Sequence, residues 1–160
     1  MSIPRIKAIL VAAMGVAFAN SALAADEATA TFNVTATVLS SCNVAATDLE
    51  FGNYDPTAGD LDSTSTITAT CTAGTEYEIA LGQGQNTSRQ MKNVGGEFLD
   101  YELYQPDGYT TIWGDVGGAT VTQTSTAGGP VNYTVNGRIT GGQYVTAGAY
   151  TDEVLVTVTY

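Results

Sequence analysis

The residue types that most often carry out chemistry in proteins are scarce in this chain. It contains no histidine and only two cysteines, Cys42 and Cys71. Without histidine there is neither a Ser-His-Asp nor a Cys-His catalytic arrangement, and the commonest ligand of transition metals is missing. No glycine-rich phosphate loop followed by lysine occurs, since the glycines lie between strand-like segments. Carboxylates and aromatic rings are therefore the candidate functional groups.

Three aspartates form the first candidate site. Asp55, Asp60 and Asp62 lie in the segment YDPTAGDLDS, and calcium is bound by oxygen ligands from loops of this kind. Their spacing does not match an EF-hand, however, and polar loops commonly carry acidic residues. An ordinary solvated loop is the favoured interpretation, with calcium binding as the alternative, and we expect neither a metal nor a cofactor.

A carboxylate pair for glycoside hydrolysis is the second candidate, because such a pair needs only closeness in space. Glu76 and Glu78 alternate with Tyr77 and Ile79, as outward-facing residues of a half-buried strand do. This pattern favours a structural role, and we expect no enzymatic activity. The carboxylates from which such a pair is assembled are Glu76, Glu78, Glu97, Asp100 and Glu102.

Aromatic rings offer the third candidate, a shelf that binds sugars. Packing in the core and at the rim of a sheet is the favoured alternative, because aromatic residues are common in strands in any case. The rings concerned are Trp113, Tyr101, Tyr104 and Tyr109. No residue type in the chain therefore indicates catalysis, and the pattern of the strands that carry these residues becomes the main source of information.

The first part of the chain has the pattern of a secretory signal peptide over residues 1–24. Arg5 and Lys7 form a positive region, residues 9–18 form an apolar stretch too short to span a bilayer, and Ala22-Leu23-Ala24 fits a cleavage site. A membrane anchor is the less favoured alternative. We therefore predict an exported protein whose folded part follows Ala24.

The mature chain is strongly acidic. Removal of residues 1–24 leaves three basic residues against sixteen acidic residues, which is a formal charge of −13. A charge of this sign argues against nucleic acid and against anionic membrane surfaces as partners. The remaining length suits one domain with its own core.

The two cysteines both lie in the mature part. Two cysteines in an exported chain favour one disulfide between Cys42 and Cys71, and a pair of free thiols is the alternative. Closing a loop of about thirty residues restricts the unfolded chain by roughly 3–4 kcal/mol in the entropy model.

Short alternating segments separated by glycine-rich turns predict an all-β sandwich. Thr, Val and Tyr are abundant where the strands are expected. Asn136-Gly137 lies inside one such segment, where either a hairpin turn or a β-bulge is expected. The predicted strands are residues 28–39, 49–54, 63–72, 76–81, 97–105, 110–114, 119–124, 131–140 and 150–160.

The two ends of the mature chain carry the clearest alternation. In ATATFNVTATVL (residues 28–39), alternate residues from Ala28 to Val38 are apolar, whereas threonine and asparagine occupy the other face. In EVLVTVTY (residues 153–160), one face holds Val154, Val156, Val158 and Tyr160. Chain ends usually trail into solvent, so hydrophobic strands at both ends are unexpected for a self-contained domain.

Eight segments occur in order along the mature chain: CNV (42–44), LEFGNYD (49–55), TCTAGTEYEIAL (70–81), RQMKN (89–93), LDYELYQ (99–105), WGD (113–115), VNGRI (135–139) and GAYTDEVLVTVTY (148–160). This ordered set resembles the Spore Coat Protein U domain family, which includes the shaft pilins of archaic chaperone–usher pili. The resemblance implies an incomplete immunoglobulin-like β-sandwich that lacks its last strand and carries an N-terminal donor strand. It also implies the Cys42–Cys71 disulfide.

The resemblance further implies donor-strand complementation, in which a strand from a neighbouring subunit fills an open hydrophobic groove. Residues 25–37 become the donor-strand extension, with Ala30, Phe32, Val34 and Ala36 as pocket fillers, and residues 38–160 become the pilin domain. The C-terminal strand, with Val154, Val156, Val158 and Tyr160, becomes an edge of the groove. Two alanines among the four fillers imply shallow pockets, so Phe32 and Val34 carry most of the side-chain contribution.

The expected function is therefore that of a structural subunit of an extracellular pilus, used for adhesion and biofilm formation. The implied partners are neighbouring copies in a homopolymer, a periplasmic chaperone and an outer-membrane usher, and the implied location is a cell-surface fimbria reached through the periplasm. Two alternatives remain open: a spore or cell-surface coat protein with the same fold, and a secreted carbohydrate-binding β-sandwich.

Overall fold

The computed structural model describes residues 26–86 and 88–160, so the predicted signal peptide (1–24) lies outside the described residues. The described part divides into two units, one up to Ala36 and one from Thr37 to Tyr160. Residues 26–36 are exposed and form no strand, because strand structure depends on a hydrogen-bonded neighbour that this segment does not have.

The second unit is all-β. Its strands are β1 Cys42–Ala46, β2 Leu61–Cys71, β3 Glu76–Leu81, β4 Gln90–Lys92, β5 Phe98–Asp100, β6 Glu102–Tyr104, β7 Val121–Thr124, β8 Pro130–Ile139 and β9 Val156–Thr159. Within the described residues no helix is long and apolar enough to cross a membrane. All named strand pairings are antiparallel.

Two sheets enclose one core. The first has the strand order β1-β2-β8-β6, the second has the order β7-β3-β9, and β4-β5 forms a separate hairpin. Inward residues of β2 and β8 meet inward residues of β3, because alternate side chains of a strand point to the same face. Among them Ile67, Ile79 and Ile139 are at most 1% exposed. The arrangement is an immunoglobulin-like β-sandwich, as predicted.

Several strands match their sequence predictions closely. Residues 76–81 form β3, with Tyr77, Ile79 and Leu81 buried as their alternation indicates. Residues 61–71 and 130–139 form the long central pair β2 and β8. These segments combine regular alternation with β-branched residues and lie in the middle of the sandwich, where pairing and burial support what the pattern favours.

Other strand predictions were wrong. Residues 49–54 form no strand, and residues 110–114 contribute only an isolated bridge at Ile112. The segment 97–105 is split at Tyr101 into β5 and β6, and only Val156–Thr159 of the segment 150–160 is a strand. The short strands β1 and β4 were not predicted. Alternation alone does not reveal whether a neighbouring strand is available for pairing.

Asn136-Gly137 is neither a hairpin turn nor a bulge. The pairing of β2 with β8 runs without interruption through this dipeptide, since Thr64 pairs with Asn136 and Ser63 pairs with Gly137. A Cβ atom on Gly137 would lie 2.7 Å from Leu49 Cδ1. The glycine therefore allows a side chain to pack directly on the strand backbone, which is a recognised use of glycine within strands.

Candidate functional site: an open groove beside β1 and β9

The sandwich has a groove of about 1150 Å³ on the side where each sheet ends in an edge strand. In the first sheet β1 pairs only with β2, and in the second sheet β9 pairs only with β3 among the named strands. An edge strand presents unpaired backbone N–H and C=O groups, which is a template for a further strand. The groove therefore combines free strand edges with access to the core.

The floor of the groove is the hydrophobic core itself. Its apolar residues come from both sheets and from the β4-β5 hairpin, and each is at most 8% exposed in the folded chain. They are Ile67, Leu81, Leu99, Tyr101, Leu103, Val135 and Ile139. The apolar surface left to an occupant belongs to the half-buried residues around this floor, such as Leu49, Phe51 and Val156, so the groove suits apolar side chains.

One side of the groove is residues 46–54, which we call the β1-side wall. Leu49 and Phe51 are half-buried and pack against the core. The Ser63 hydroxyl donates a 2.6 Å hydrogen bond to the Glu50 carbonyl, which ties this irregular segment to β2. Leu49 and Phe51 thus face the core as their alternation indicates, but they do so from an irregular segment that forms a wall of the groove and not from a strand.

The other side is residues 143–154, which we call the β9-side wall. Tyr150 donates its hydroxyl to the carbonyl of Thr146 at 2.8 Å, and the Thr146 amide donates to Glu97 at 2.9 Å. Hydrogen bonding from Thr146, with a smaller contribution from the Tyr150 hydroxyl, lowers the pKa of the Glu97 carboxyl. The wall is therefore held by side-chain contacts, since it lacks a regular hydrogen-bonding ladder.

Asp152 anchors the end of this wall. Its carboxylate accepts hydrogen bonds from the Tyr101 hydroxyl at 2.7 Å and from the Gln85 amide at 2.9 Å. Burial, followed by the bond to Asp152, raises the pKa of the Tyr101 phenol, which stays protonated as a donor. Gly84 has a φ of +85° and leaves no room for a Cβ beside Asp152, so glycine is required there.

Of the four residues predicted for the C-terminal groove edge, only some line the groove. Val154 and Val156 line the groove, and Val158 packs on the core beside them. All three are half-buried and alternate with exposed residues such as Leu155, which is 72% exposed. Tyr160 is 59% exposed and lies beyond β9.

The residues predicted as pocket fillers lie in the first unit and are exposed. Phe32 is 86% exposed and Val34 is 82% exposed, and Ala30 and Ala36 are exposed as well. Single exposed apolar residues are common, but a whole alternating stretch of them is unusual for a soluble protein.

The predicted disulfide is confirmed. Cys42 and Cys71 are joined by an S–S bond of 2.03 Å, and the described residues contain no free cysteine. The bond links β1 to β2 at a directly paired position. It therefore fastens the edge strand beside the groove to the central strand of its sheet.

The three aspartates considered for calcium binding each have other hydrogen-bond partners. Asp62 forms a two-pronged ion pair with Arg138, at 2.6 and 2.8 Å, and Asp60 accepts from the Gly141 amide at 3.0 Å. Asp55 accepts from Thr57. Across residues 26–86 and 88–160 no group of three or more acidic, cysteine or histidine residues is placed to hold a metal.

Four of the five carboxylates considered for glycoside hydrolysis are engaged in structural contacts. Glu78 accepts from the Thr120 hydroxyl, Glu97 supports the β9-side wall, and Asp100 accepts from Gln90 at 2.7 Å. Glu102 accepts from the Leu103 amide, and Glu76 is exposed at the start of β3. These contacts agree with the structural role that the alternation favoured.

Of the four rings considered for a sugar-binding shelf, Trp113 is fully buried and Tyr101 is 8% exposed, whereas Tyr104 and Tyr109 are half-buried. The Trp113 indole nitrogen donates to the Ile79 carbonyl at 2.9 Å, and its ring packs edge-on against Tyr133. Tyr104 and Tyr109 form an edge-to-face pair with ring centroids 5.5 Å apart. The packing interpretation of these rings was therefore correct for the tryptophan.

Arg89 was missed by sequence reasoning. It is 6% exposed, and its Nη2 donates to the carbonyls of Leu81 and Trp113, at 3.1 and 2.8 Å. Glu102 lies 3.9 Å from its Nε. A single arginine in a polar segment gives no sign that it is buried, so only the tertiary structure reveals that it joins three separate strands or loops.

The fold and the groove together define an immunoglobulin-like β-sandwich with a strand edge left open beside its core. A profile of the Spore Coat Protein U domain matches residues 28–157, and this chain belongs to that family. Protein U of Myxococcus xanthus is 32% identical in an alignment that covers 97% of this chain and 96% of Protein U. The predicted family is thus confirmed.

A solved structure from Acinetobacter baumannii shares the fold. It is the crystal structure of the CsuC–CsuE chaperone–tip adhesion subunit pre-assembly complex from archaic chaperone–usher Csu pili, with a TM-score of 0.56 and 26% identity. The likeness covers 78% of this chain and 41% of that chain, so this chain spans about two fifths of the length of its structural relative. Family and likeness together indicate a structural protein without enzymatic activity.

Proposed function

We propose that this chain is a structural subunit of a chaperone–usher pilus and that its subunits are joined by donor-strand complementation. The observation that carries the proposal is the groove: a strand edge, β9, borders a hydrophobic floor, and none of the strands among residues 26–86 and 88–160 pairs with that edge beside the groove. Such a groove accepts an added strand through backbone pairing, with alternate side chains filling its pockets.

Residues 28–36 have the properties of the strand that fills this groove in a neighbouring copy. They alternate strictly, their apolar face is exposed, and at about 3.3 Å per residue they extend for roughly 30 Å. Ala30, Phe32, Val34 and Ala36 would then enter the groove of the next subunit. Backbone pairing supplies an interaction along the whole segment, and the large Phe32 ring sets the register.

The proposed partners follow from this mechanism and from the solved relative, which is a complex of a chaperone with a pilus subunit. A periplasmic chaperone covers the groove first, and an outer-membrane usher exchanges it for the strand of the next copy. The product is a homopolymer at the cell surface after transit through the periplasm, with adhesion and biofilm formation as its roles. Residues 25–37 serve as the donor extension and residues 38–160 as the pilin domain.

A second candidate is a protein of a spore or cell-surface coat. It is favoured by the family description and by the likeness to Protein U, which extends over nearly the full length of both proteins. The two candidates share the groove and differ in whether subunits join end to end into a fibre or form a layer. Electron microscopy of the assembled material distinguishes them.

The proposal is tested by expressing the mature chain, with and without residues 25–36, together with a periplasmic chaperone of the archaic chaperone–usher type. We expect both forms to be captured by the chaperone, but only the intact form to give multimers that separate on heating. Polymerisation of the truncated form would refute the role of residues 28–36. An intact chain that stays monomeric in the absence of the chaperone would refute the open groove.

Phe32→Ala provides the sharper variant, with Asn33→Ala on the opposite face of the segment as its matched control. If Phe32 fills a pocket, its loss weakens the contact between subunits by roughly 3 kcal/mol. Both residues are exposed in the isolated chain, so neither substitution should change its own stability by more than about 0.5 kcal/mol. Equal heat resistance of the two variant polymers would exclude Phe32 as an anchor.

A further inference from the structure

The groove is apolar at its floor but carries charge of one sign along its walls. Asp48 and Glu50 lie on the β1-side wall, and Asp152 and Glu153 lie on the β9-side wall. No lysine or arginine is among the described residues that line the groove. An occupying strand therefore meets four carboxylates at the rim and no positive charge.

None of the three cations among the described residues forms a salt bridge with a groove-wall carboxylate. Arg89 is buried and donates to two backbone carbonyls, and the Lys92 ammonium lies 5.2 Å from the centre of the Phe98 ring. Arg138 is paired with Asp62 through two hydrogen bonds. Two of them lie near the β9-side wall, since Arg89 acts on the Tyr101 phenol and Lys92 pairs through its backbone with Thr151, so they offset part of that wall's charge. No salt bridge among the described residues involves a groove-wall carboxylate, so the rim keeps a negative potential.

The partners of the wall carboxylates are neutral as well. Asp152 accepts from the Tyr101 hydroxyl and the Gln85 amide, and Glu153 accepts from the Gln85 side chain at 2.8 Å. Asp48 and Glu50 are exposed. Hydrogen bonds from neutral donors position a carboxylate and leave its charge in place, so all four groups still act on an incoming strand.

The strand of a second copy offers no compensating charge. Residues 28–47 contain no charged side chain, and the two residues before them are Asp26 and Glu27. A copy that donates this segment therefore approaches a negative rim with an acidic leading end. Like charges slow such an encounter, and the effect weakens with added salt.

We infer that the groove favours a cationic strand supplied by a partner protein, with Lys or Arg at its solvent-facing positions, over the neutral strand of a second copy. The inference rests on the proposed function and adds that electrostatic attraction decides which of the two strands occupies the groove at a given salt concentration. At low ionic strength the cationic partner holds the groove, and rising salt lets the neutral strand of another copy compete. The apolar residues of both strands contact the same groove floor, so the difference in binding affinity comes from the outward-facing residues.

The test uses three synthetic peptides that share the apolar face of residues 28–39. One has the native sequence, one carries Thr31→Lys and Thr35→Lys, and one carries Thr31→Glu and Thr35→Glu. Binding of the labelled peptides to the full mature chain is followed by fluorescence anisotropy at about 20 mM and about 500 mM NaCl, which span weak and strong screening. The segment of the chain itself competes equally with all three peptides.

We expect the lysine peptide to bind roughly tenfold more tightly than the glutamate peptide at low salt, and the difference to shrink to about twofold or less at high salt. Equal binding of the two peptides at low salt would overturn the electrostatic inference while leaving strand docking intact. Failure of all three peptides to bind at either salt concentration would instead overturn the proposed function.

A charge-matched pair of variants locates the effect. Asp48→Asn, Glu50→Gln and Glu153→Gln together remove three charges from the groove walls. The control removes three exposed charges that do not line the groove: Glu76→Gln, Asp107→Asn and Asp115→Asn. The preference for the lysine peptide should disappear in the first variant and persist in the control. Its equal reduction in both would assign it to net charge and would refute a groove-specific preference.

Discussion

The central strands and the groove edge of the sandwich follow the same alternating pattern but reach different degrees of burial. Strand β2 pairs with β8 over ten positions, and its inward residues Ile67 and Ala69 are 1% exposed. Strand β9 pairs with β3 over four positions only, and its inward valines are half-buried. Alternation decides which side chains face inward, whereas the number of neighbouring strands decides how fully they are covered.

This difference does not arise from a weaker apolar pattern in the groove-edge strand β9. Its valines alternate as regularly as the inward residues of β2, yet they stay half-buried in the isolated chain. Burial within the isolated chain therefore does not account for an apolar face at this edge. Exposed apolar surface next to an unpaired strand edge is a liability for a soluble protein. Its presence is explained if a partner covers it.

The largest expected effect compares one residue from each region of the same sheet. Ile79→Ala removes a residue that is fully buried, and we expect a loss of about 4 kcal/mol in the free energy of unfolding, since it leaves a cavity. Val156→Ala at the groove edge should cost about 1 kcal/mol, because the site is half open. Urea denaturation of the mature chain measures both, and equal losses would break the comparison.

Removal of the disulfide is expected to have the next largest effect. Replacing Cys42 and Cys71 together by serine frees the unfolded chain and should cost roughly 3 kcal/mol. Because the bond joins β1 to β2, we also expect faster amide hydrogen exchange in β1 than in β8 of this variant. A reductant should reproduce the effect in the native chain and leave the serine variant unchanged. Uniformly faster exchange would contradict a local role at the edge.

Gly137→Ala tests the contact between the β1-side wall and the central strand β8. The added Cβ would lie 2.7 Å from Leu49 and 3.0 Å from Phe51, so the wall must shift outward. We expect a loss of about 2 kcal/mol from overpacking. Gly129→Ala is the control, because nothing lies within 4 Å of its added Cβ. Similar unfolding midpoints for the two variants would show that the wall yields without cost.

The smallest effect concerns pH. Hydrogen bonding to Arg138 lowers the pKa of the folded Asp62 carboxyl below its ordinary value of 3.8. The ion pair therefore stabilises the folded chain above that value, and its contribution is lost as the pH falls through the lowered folded pKa. Asp62→Asn should flatten the acid limb of the stability curve by a fraction of a kcal/mol, since the pair is exposed.

Arg138→Gln is the companion variant for this measurement. It removes the same ion pair from the other side, together with the 3.6 Å pair of Arg138 with Asp60, so it should flatten the acid limb at least as much, and adding Asp62→Asn to it should change the limb little further. Thermal unfolding between pH 2 and pH 5 provides the curve. An acid limb that is identical in the native chain and in Asp62→Asn would exclude the pair as its source.

Much of the fold was predictable because local pattern and tertiary position agree in the central strands. In β3 the inward residues Tyr77, Ile79 and Leu81 were identified from alternation alone. The same pattern misled at Leu49 and Phe51, where side chains pack inward without a strand. It also misled at Asn136-Gly137, where a dipeptide typical of turns lies in an uninterrupted strand because Leu49 packs on the glycine.

The candidate site was predictable only in outline. The apolar alternation of residues 28–36 and of β9 identified two unusual segments, and the family resemblance related them to each other. The walls, the Asp152 contacts and the buried Arg89 were not predictable, because each depends on residues far apart in sequence. Gln85 and Asp152, for example, are separated by 67 positions.

The sequence by itself determined the all-β class, the inward faces of the long strands, the absence of histidine-based chemistry and the excess of negative charge. These properties follow from residue type and from the period of two, which are local. The tertiary structure alone decided which strands lie at an edge, where half-buried apolar residues border the core, and that the carboxylates of two distant segments line one groove. Pairing and burial depend on which segments meet in space, and that information is not contained in any single stretch of the chain.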